Sequence, residues 1–336
     1  MKQEKITIIV PALNEEKYIA ECLDSVLDSD YDTANMEIFV VDGMSQDKTR
    51  EIVQAYHEKY PSIHLLENPD SYTPIGMNMG INASRGKYIF ILSAHADYSQ
   101  DYFTKLVENI ENLHADCVGG VLITDIKNQN KKSSSIKEIL MHRFGVGDAS
   151  FRVGSDDIKE VDTVAYGCYR RETFEKYGLF NEDLIRNQDI ELNKRIINGG
   201  GKIYIIPDVK CTYYARENFT DLAKNNYANG FWNILTAYYT KTLSSLSIRH
   251  FIPLLFVLSL IFPLIMSLIE PKILWIALLS LASYLSLVII ISFSLKDSSN
   301  NIAYLIASFL TLHLSYGWGS LMGVFSVINK YIKGEK

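Results

Sequence analysis

The chain has 336 residues, of which 48% are hydrophobic, and 33 Lys and Arg stand against 39 Asp and Glu, for a formal net charge of −6. That length accommodates one large domain or two, and an acidic balance with no basic tract excludes nucleic acid as the main partner. Four widely separated cysteines, Cys22, Cys117, Cys168 and Cys211, lack CxxC spacing, which excludes a disulfide framework and fits reduced thiols in a cytosolic domain.

The amino-terminal MKQEKITIIVPALNEE has an apolar core of about five residues, too short for a signal peptide, so the first domain is expected to stay in the cytoplasm. Strands are predicted at Ile6 to Val10, Met36 to Val41, Ile63 to Glu67 and Tyr88 to Leu92. Helices are predicted between them, near Lys17 to Asp28, Lys48 to Lys59 and Thr73 to Ser84, the last opened by Pro74 and stopped by Gly86. This alternation is the βαβ rhythm of an α/β doubly wound sheet. From about Asp125 to Glu160 the polar runs KNQNKKSSS and GVGDASFRVGSDD predict a mobile loop or lid. Order is expected to resume with a strand over Asp162 to Tyr169, helices over Arg171 to Tyr177 and Asp189 to Asn198, and a strand over Ile203 to Ile206.

Almost all charge lies before Arg249, and three apolar segments follow: 251–269, 273–295 and 302–328. Each is close to the roughly 20 residues that cross a bilayer as a helix. Residues 1–235 therefore read as a soluble catalytic domain and 236–336 as a membrane-associated helical region. Pro253 and Pro263 predict a kinked or re-entrant first segment, and His313, Gly317, Gly319 and Gly323 predict close helix packing in the third. Three full crossings from the cytoplasm would put Lys330, Lys333 and Lys336 outside, against the positive-inside tendency, whereas a re-entrant first segment brings them back.

Ligands in open α/β sheets bind just beyond the carboxyl ends of the strands. The run YIFILSAHAD stops there, and small residues surround His95 and Asp97, two candidate metal ligands; the alternative is a loop pair that caps the next helix. Asp42 ends another strand, where its carboxylate can accept hydrogen bonds from a ribose or base, and Gly43 permits a tight exit. No GxGxxG follows the first strand, so a dinucleotide redox cofactor is not expected.

The stretches IIVPALNEEKYI, VVDGMSQDKTREIV, NPDSYTPIGMNMGINASRGKYIFILSAHADY, VDTVAYGCYRRETFEKYGLFNE and RNQDIELNKRIINGGGKIYIIPDVKCTYYAR, in this order over residues 5 to 232, resemble the family 2 glycosyltransferases with a GT-A fold. Their branch typified by succinoglycan and other exopolysaccharide glucosyltransferases is the nearer likeness. The resemblance implies that Pro11, Ala12, Asn14 and Glu15 line a nucleotide pocket beside Asp42. It puts Asn78, Arg85, Ser93 and Ala94 on the donor side, while a turn and a helix cap explain Ser45 and Asp47 equally well. The family's metal motif is DxD, or DAHA in the nearer branch. Here Ser93 stands at its first acid, so His95 and Asp97 would carry the ligation of Mn²⁺ or Mg²⁺, with phosphate and water completing it.

By position in the family motif Asp189 is the base that takes the acceptor proton, and Glu191 and Arg195 support it. Tyr166 and Gly167 fall on the acceptor side. Cys168 reads as packing, and Trp232 either stacks on a sugar or sits at the membrane interface. The family's Gln near that tryptophan is replaced by Asn225 or Asn226. The activity implied is inverting transfer from a nucleotide sugar, a UDP-sugar foremost, to a lipid-linked saccharide at the cell membrane. Two rivals are a polyprenyl-phosphate glycosyltransferase and, because of Ser93, a catalytically weakened nucleotide-sugar-binding scaffold subunit.

Overall fold

The structure, a computed structural model, describes residues 3–241 and 246–334. The strands are β1 (Ile6–Ala12), β2 (Met36–Asp42), β3 (Ile63–Glu67), β4 (Tyr88–Ile91), β5 (Ala96–Tyr98), β6 (Cys117–Asp125), β7 (Lys159–Glu160), β8 (Cys168–Arg170) and β9 (Ile203–Tyr214). The helices through the first two hundred residues are α1 (Ile19–Leu27), α2 (Thr49–Lys59), α3 (Thr73–Ala83), α4 (Tyr102–Asn112), α5 (Lys131–Met141), α6 (Arg143–Val146), α7 (Ser150–Val153), α8 (Arg171–Tyr177) and α9 (Gln188–Asn198). They are followed by α10 (Phe219–Thr240), α11 (Ile252–Met266), α12 (Leu274–Ser294) and α13 (Ile302–Lys333). Two compact units result, one of residues 1–125 with 148–214, the other of residues 126–147 with 215–336.

In the first unit, nine strands among the described residues form one mixed sheet in the order β3-β2-β1-β4-β8-β6-β9-β5, with β7 on β9. The β3-β2-β1-β4 block is parallel, as the βαβ rhythm predicts, and β8 runs antiparallel to β4, which makes the α/β sheet mixed. Side chains alternate between its faces. Ile6, Ile8, Val10, Ile38 and Val40 meet α1, α2 and α4 on one side, while Ile9, Phe39 and Val41 meet α3, α8 and α9 on the other. Burial on both faces is why these strands read as unbroken apolar runs.

Four departures from the sequence reading have local causes. The polar run at 125–160 is not a lid throughout. Asn130 Oδ1 accepts from the N–H groups of Lys132 and Ser133 at 3.0 and 3.1 Å, Ser133 Oγ accepts from Asn130 N–H at 3.0 Å, and this capping box starts α5. Second, the strand expected over 162–169 is reduced to Cys168–Arg170, because Tyr166 turns into the left-handed region at φ +51°. Third, β9 runs past Ile206 to Tyr214. Pro207, which has no N–H to give, falls in the irregular stretch between the paired Ile205 and Lys210. Finally, Gly43 is not the residue that makes the tight exit from β2: Met44 takes the positive φ, +67°, and a Cβ at Gly43 meets only ordinary contacts from 3.5 Å.

The second unit is helical. Backbone approaches backbone between α10 and α13: a Cβ on Gly230 would lie 2.0 Å from the Tyr316 carbonyl, and one on Gly319 the same distance from that of Tyr227. Small residues at these crossings are what such an approach requires. His313 joins Tyr284 Oη at 2.9 Å and the Phe144 carbonyl at 2.8 Å. Among the described residues two helical stretches, Ile248–Met266 and Pro271–Ser294, are long and apolar enough to cross a membrane. The third segment expected to do so is not among them, because Ser308, His313, Ser320 and three glycines turn one buried face of α13 polar or small. Pro253 occupies the first turn of α11, where it disrupts nothing, and only Pro263 lies inside that helix. Lys330 and Lys333 end α13, and Lys336 lies outside the described residues.

Candidate active site

β1 and β2 end together, Ala12 level with Asp42, and β4 ends beside β1 a little earlier, Ile91 level with Ile9. The loops leaving these strands interlock. Asn14 turns at φ +56°; its N–H donates to Ser45 Oγ at 2.8 Å and its Oδ1 accepts from Gln46 N–H at 2.8 Å. Glu15 N–H donates to Thr49 Oγ1 at 2.8 Å, and Glu16 N–H to Asp47 Oδ2 at 3.1 Å. Ser45, Thr49 and Asp47 thus join the loop after β1 to that after β2. Pro11 and Ala12 form the last two positions of β1, and the Ala12 carbonyl accepts from Gly43 N–H at 2.8 Å.

Asp42 is fully buried. One oxygen, Oδ2, accepts from Ser45 N–H at 3.0 Å and lies 3.7 Å from Arg50 Nε; the other, Oδ1, has no hydrogen-bond partner. Leaving a buried acceptor unpaired costs about 1–3 kcal/mol, so an Oδ1 at the carboxyl edge of the sheet is a vacancy for a donor group.

Beyond β4 the chain reverses sharply. Ser93 N–H donates to Tyr98 Oη at 2.8 Å, the same phenol donates to the Ser93 carbonyl at 3.2 Å, and Ala94 is buried. This turn sets His95 and Asp97 one residue apart on the same side of the strand. His95 Nδ1 lies 3.2 Å from Glu15 Oε1, and its ring sits against those of Tyr18 and Tyr213, with centroids at 6.2 and 5.6 Å. Asp97 Oδ2 accepts from Tyr214 Oη at 2.6 Å. No group of three or more His, Cys, Asp and Glu side chains that could hold a metal occurs among the described residues.

Asp189 is the second residue of α9, behind Asn187 in the left-handed region at φ +63°. It is half-buried, and desolvation raises its pKa above the ordinary carboxylate value. The backbone N–H groups of Ile190 and Asp189 and the charge of Arg152 work the other way. Arg152 carries its guanidinium over the Tyr213 ring, 5.5 Å from the centroid, and its charge also reaches the partly buried Tyr166 phenol, whose pKa desolvation pushes up. Tyr166 holds a left-handed backbone, which costs about 1–3 kcal/mol for a bulky residue, and its carbonyl accepts from Tyr102 Oη at 2.7 Å. At the adjacent Gly167 a Cβ would come within 2.9 Å of Cys117 Sγ. Cys168 is buried, and burial drives its thiol pKa far up, so it packs rather than reacts.

Several residues expected at the site are engaged elsewhere. Asn78 binds the Phe180 carbonyl at 2.9 Å, Phe180 N–H at 3.0 Å and Glu182 Oε1 at 2.8 Å, which ties α3 to the 180–182 segment. Arg85 precedes β4 and so lies at the amino-terminal edge of the sheet. There its N–H donates to Glu37, and the residue lines a cavity of about 720 Å³ with Lys5, His57 and His64. Glu191 and Arg195 pair with each other at 2.6 and 2.9 Å, and Arg195 clasps the carbonyls of Tyr177 and Leu179. Trp232 belongs to α10 of the helical unit, stacked on Tyr239. Conversely, Arg152, Tyr18 and Tyr213 were missed. A lone arginine beside an aromatic, between Gly147 and Gly154, was the one signal for Arg152, and it lay in a stretch read as mobile.

Comparison with known proteins accords with this geometry. A dolichyl N-acetyl-alpha-D-glucosaminyl phosphate 3-beta-D-2,3-diacetamido-2,3-dideoxy-beta-D-glucuronosyltransferase of Methanococcus voltae is 30% identical over 233 residues, 67% of this chain and 71% of that protein. The succinoglycan biosynthesis protein ExoA of Rhizobium meliloti is 26% identical over 217 residues, 64% of each chain, so the match spans about two thirds of these relatives. Among solved structures, the mannosyltransferase PcManGT of Pyrobaculum calidifontis, in complex with GDP-Man and Mn²⁺, superposes with a TM-score of 0.56 at 18% identity, covering 100% of this chain and 89% of that one. TarS of S. aureus, in complex with UDP-GlcNAc, gives 0.52 at 18% identity over 98% and 92%. At such identities the likeness is one of fold, a GT-A-like mixed sheet. The sequence model described as "Glycosyl transferase family 2" matches residues 7–178, about half of the chain, and with these relatives it makes the protein a glycosyltransferase of family 2.

Proposed function

We propose that the chain is an inverting glycosyltransferase that moves a sugar from a nucleotide-sugar donor, a UDP-sugar foremost, to a lipid-linked saccharide in cell-surface polysaccharide biosynthesis. The observation that carries this reading is Asp189: a half-buried carboxylate at the start of a helix, with a raised pKa, electrostatically coupled to an arginine that stands beside the His95 cluster. In transfer, the acceptor oxygen attacks the anomeric carbon as the bond to the diphosphate breaks and the diphosphate leaves with the electron pair. Asp189 takes the acceptor's proton, a role worth roughly 10²–10⁴ in rate. Attack opposite the leaving group inverts the centre, so an α-linked donor gives a β-linked product. Asp42 Oδ1 would accept from the base or ribose, with Pro11, Ala12, Asn14 and Glu15 forming the pocket around it.

An imidazole with one carboxylate beside it suits Mn²⁺ or Mg²⁺ that takes most of its ligands from phosphate and water. His95 would hold the ion with the carboxylates of Glu15 and Asp97, and the ion would supply charge stabilisation of the departing diphosphate. The acceptor assignment draws on the named substrates of the relatives and on the two apolar helices; residues 1–235 then act in the cytoplasm and 236–336 hold the enzyme at the membrane. Ser93, with no three-ligand cluster among the described residues, favours as second reading a nucleotide-sugar-binding scaffold subunit.

The test incubates the purified protein with labelled nucleotide sugars and extracted polyprenyl-linked acceptors, with EDTA or Mn²⁺. Expected are a lengthened lipid-linked saccharide, activity lost in EDTA and restored by Mn²⁺, and no transfer by Asp189→Asn with donor affinity kept. A monosaccharide phosphate as product would instead identify a polyprenyl-phosphate glycosyltransferase. Binding without transfer or hydrolysis under every condition would identify the scaffold.

A further inference from the structure

The place where a diphosphate would gather charge holds few metal ligands: Ser93 brings a hydroxyl, and Asp97 is bonded to Tyr214. A permanent cation stands nearby. Arg152, on α7, lies with its guanidinium 5.5 Å from the centroid of Tyr213, whose other neighbour is the His95 ring at 5.6 Å. No carboxylate among the described residues forms an ion pair with it, which sets it apart from Arg50, Arg170 and Arg195, each paired with an acid. The segment that carries it is fixed: α7 packs on β6, Phe151 packs into both core clusters of the sheet, and Arg152 N–H donates to the Ala149 carbonyl at 2.8 Å. Glycines at φ +74° and +87°, Gly147 and Gly154, bracket the turn.

We propose that Arg152 binds the diphosphate of the nucleotide-sugar donor, between the His95 side and Asp189, and neutralises charge on the leaving group. This rests on the donor reading above. A planar guanidinium with an unpaired fork matches phosphate oxygens, and a cation already stacked on a ring needs little reorganisation to meet them. The arrangement gives the site a charge that chelators do not remove, which offsets the loss of the first acid at Ser93.

The test measures binding of uridine, UMP and UDP, then the guanosine series, to the full chain in detergent. Arg152→Ala is expected to lower nucleoside-diphosphate affinity by about ten- to a hundredfold while nucleoside affinity stays within about twofold. Arg152→Lys recovers part of the loss, which excludes a folding defect as its cause. A second readout is the pH profile of transfer. Asp189 faces Arg152 from α7 and Tyr169 from β8, so removing the arginine's charge moves the acid limb to higher pH. Unchanged diphosphate affinity in Arg152→Ala overturns the role of Arg152. A wild-type chain that binds no nucleoside diphosphate overturns the donor reading instead.

Discussion

Asp42 and Asp189 show how one side-chain type is given two different electrostatic states by its surroundings. Asp42 has a backbone N–H and an arginine on one oxygen and nothing on the other, so it is built to accept. Asp189 is half-buried, and desolvation raises its pKa, which suits the base role proposed for it. That setting has a cost in stability. A carboxyl whose folded pKa lies above its unfolded value contributes stability below the unfolded value and loses it as pH rises through the folded one. Asp189→Asn is therefore expected to melt above the wild type at neutral pH. The advantage should shrink as the pH is lowered to where the wild-type carboxyl is protonated in both states. Thermal melts across pH check this, and equal melting temperatures at neutral pH would contradict it. That Asp42 ends a strand and Asp189 opens a helix was legible locally, whereas the base role proposed for Asp189 came from the family resemblance. Arg85 and Asn78 were misplaced because sequence order does not say which edge of a sheet, or which packed face of a helix, a residue occupies.

The elements that the sequence revealed best were those with one unmixed apolar signal: β1, β2, β3 and α2 lie within two residues of expectation. Those that escaped it carry mixed signals. In α5 the capping residues Asn130 and Ser133 look like a loop, and β5 is three residues long, set by its pairing with β9. The α10–α13 crossing shows how a spacing becomes geometry: in α13, whose glycines predict close packing, Gly319 lies against a carbonyl of α10, and Gly230 of α10 lies against one of α13. Gly230→Val should force the two helices apart and cost about 1–3 kcal/mol or more as overpacking. Gly334→Ala, where nothing lies within 4 Å but φ is +69°, provides a comparison outside any helix contact. A chemical or thermal unfolding comparison of the two reads the difference, and an unaffected Gly230→Val would refute the close crossing.

At the scale of the molecule, the two apolar helices leave large side chains such as Phe262, Leu264, Trp275, Leu279 and Phe293 exposed. Apolar surface of that extent marks contact with lipid or another protein. The full chain is expected to float with phospholipid vesicles in a density gradient and to stay with them in high salt, where a purely electrostatic attachment would be released. Recovery in the salt wash would rule out insertion. The order of the units along the chain has a practical consequence. Residues 126–147 leave the sheet-bearing unit for the helical one, where Ile139 packs with Val288, Leu305, Phe309 and Leu312, before the chain returns at 148 to supply Arg152 and Asp189. Cutting the chain after residue 214 or 235 would not release a self-contained enzyme, because it would strand the apolar face of α5 in water. A soluble catalytic fragment needs that excursion replaced by a short polar link as well.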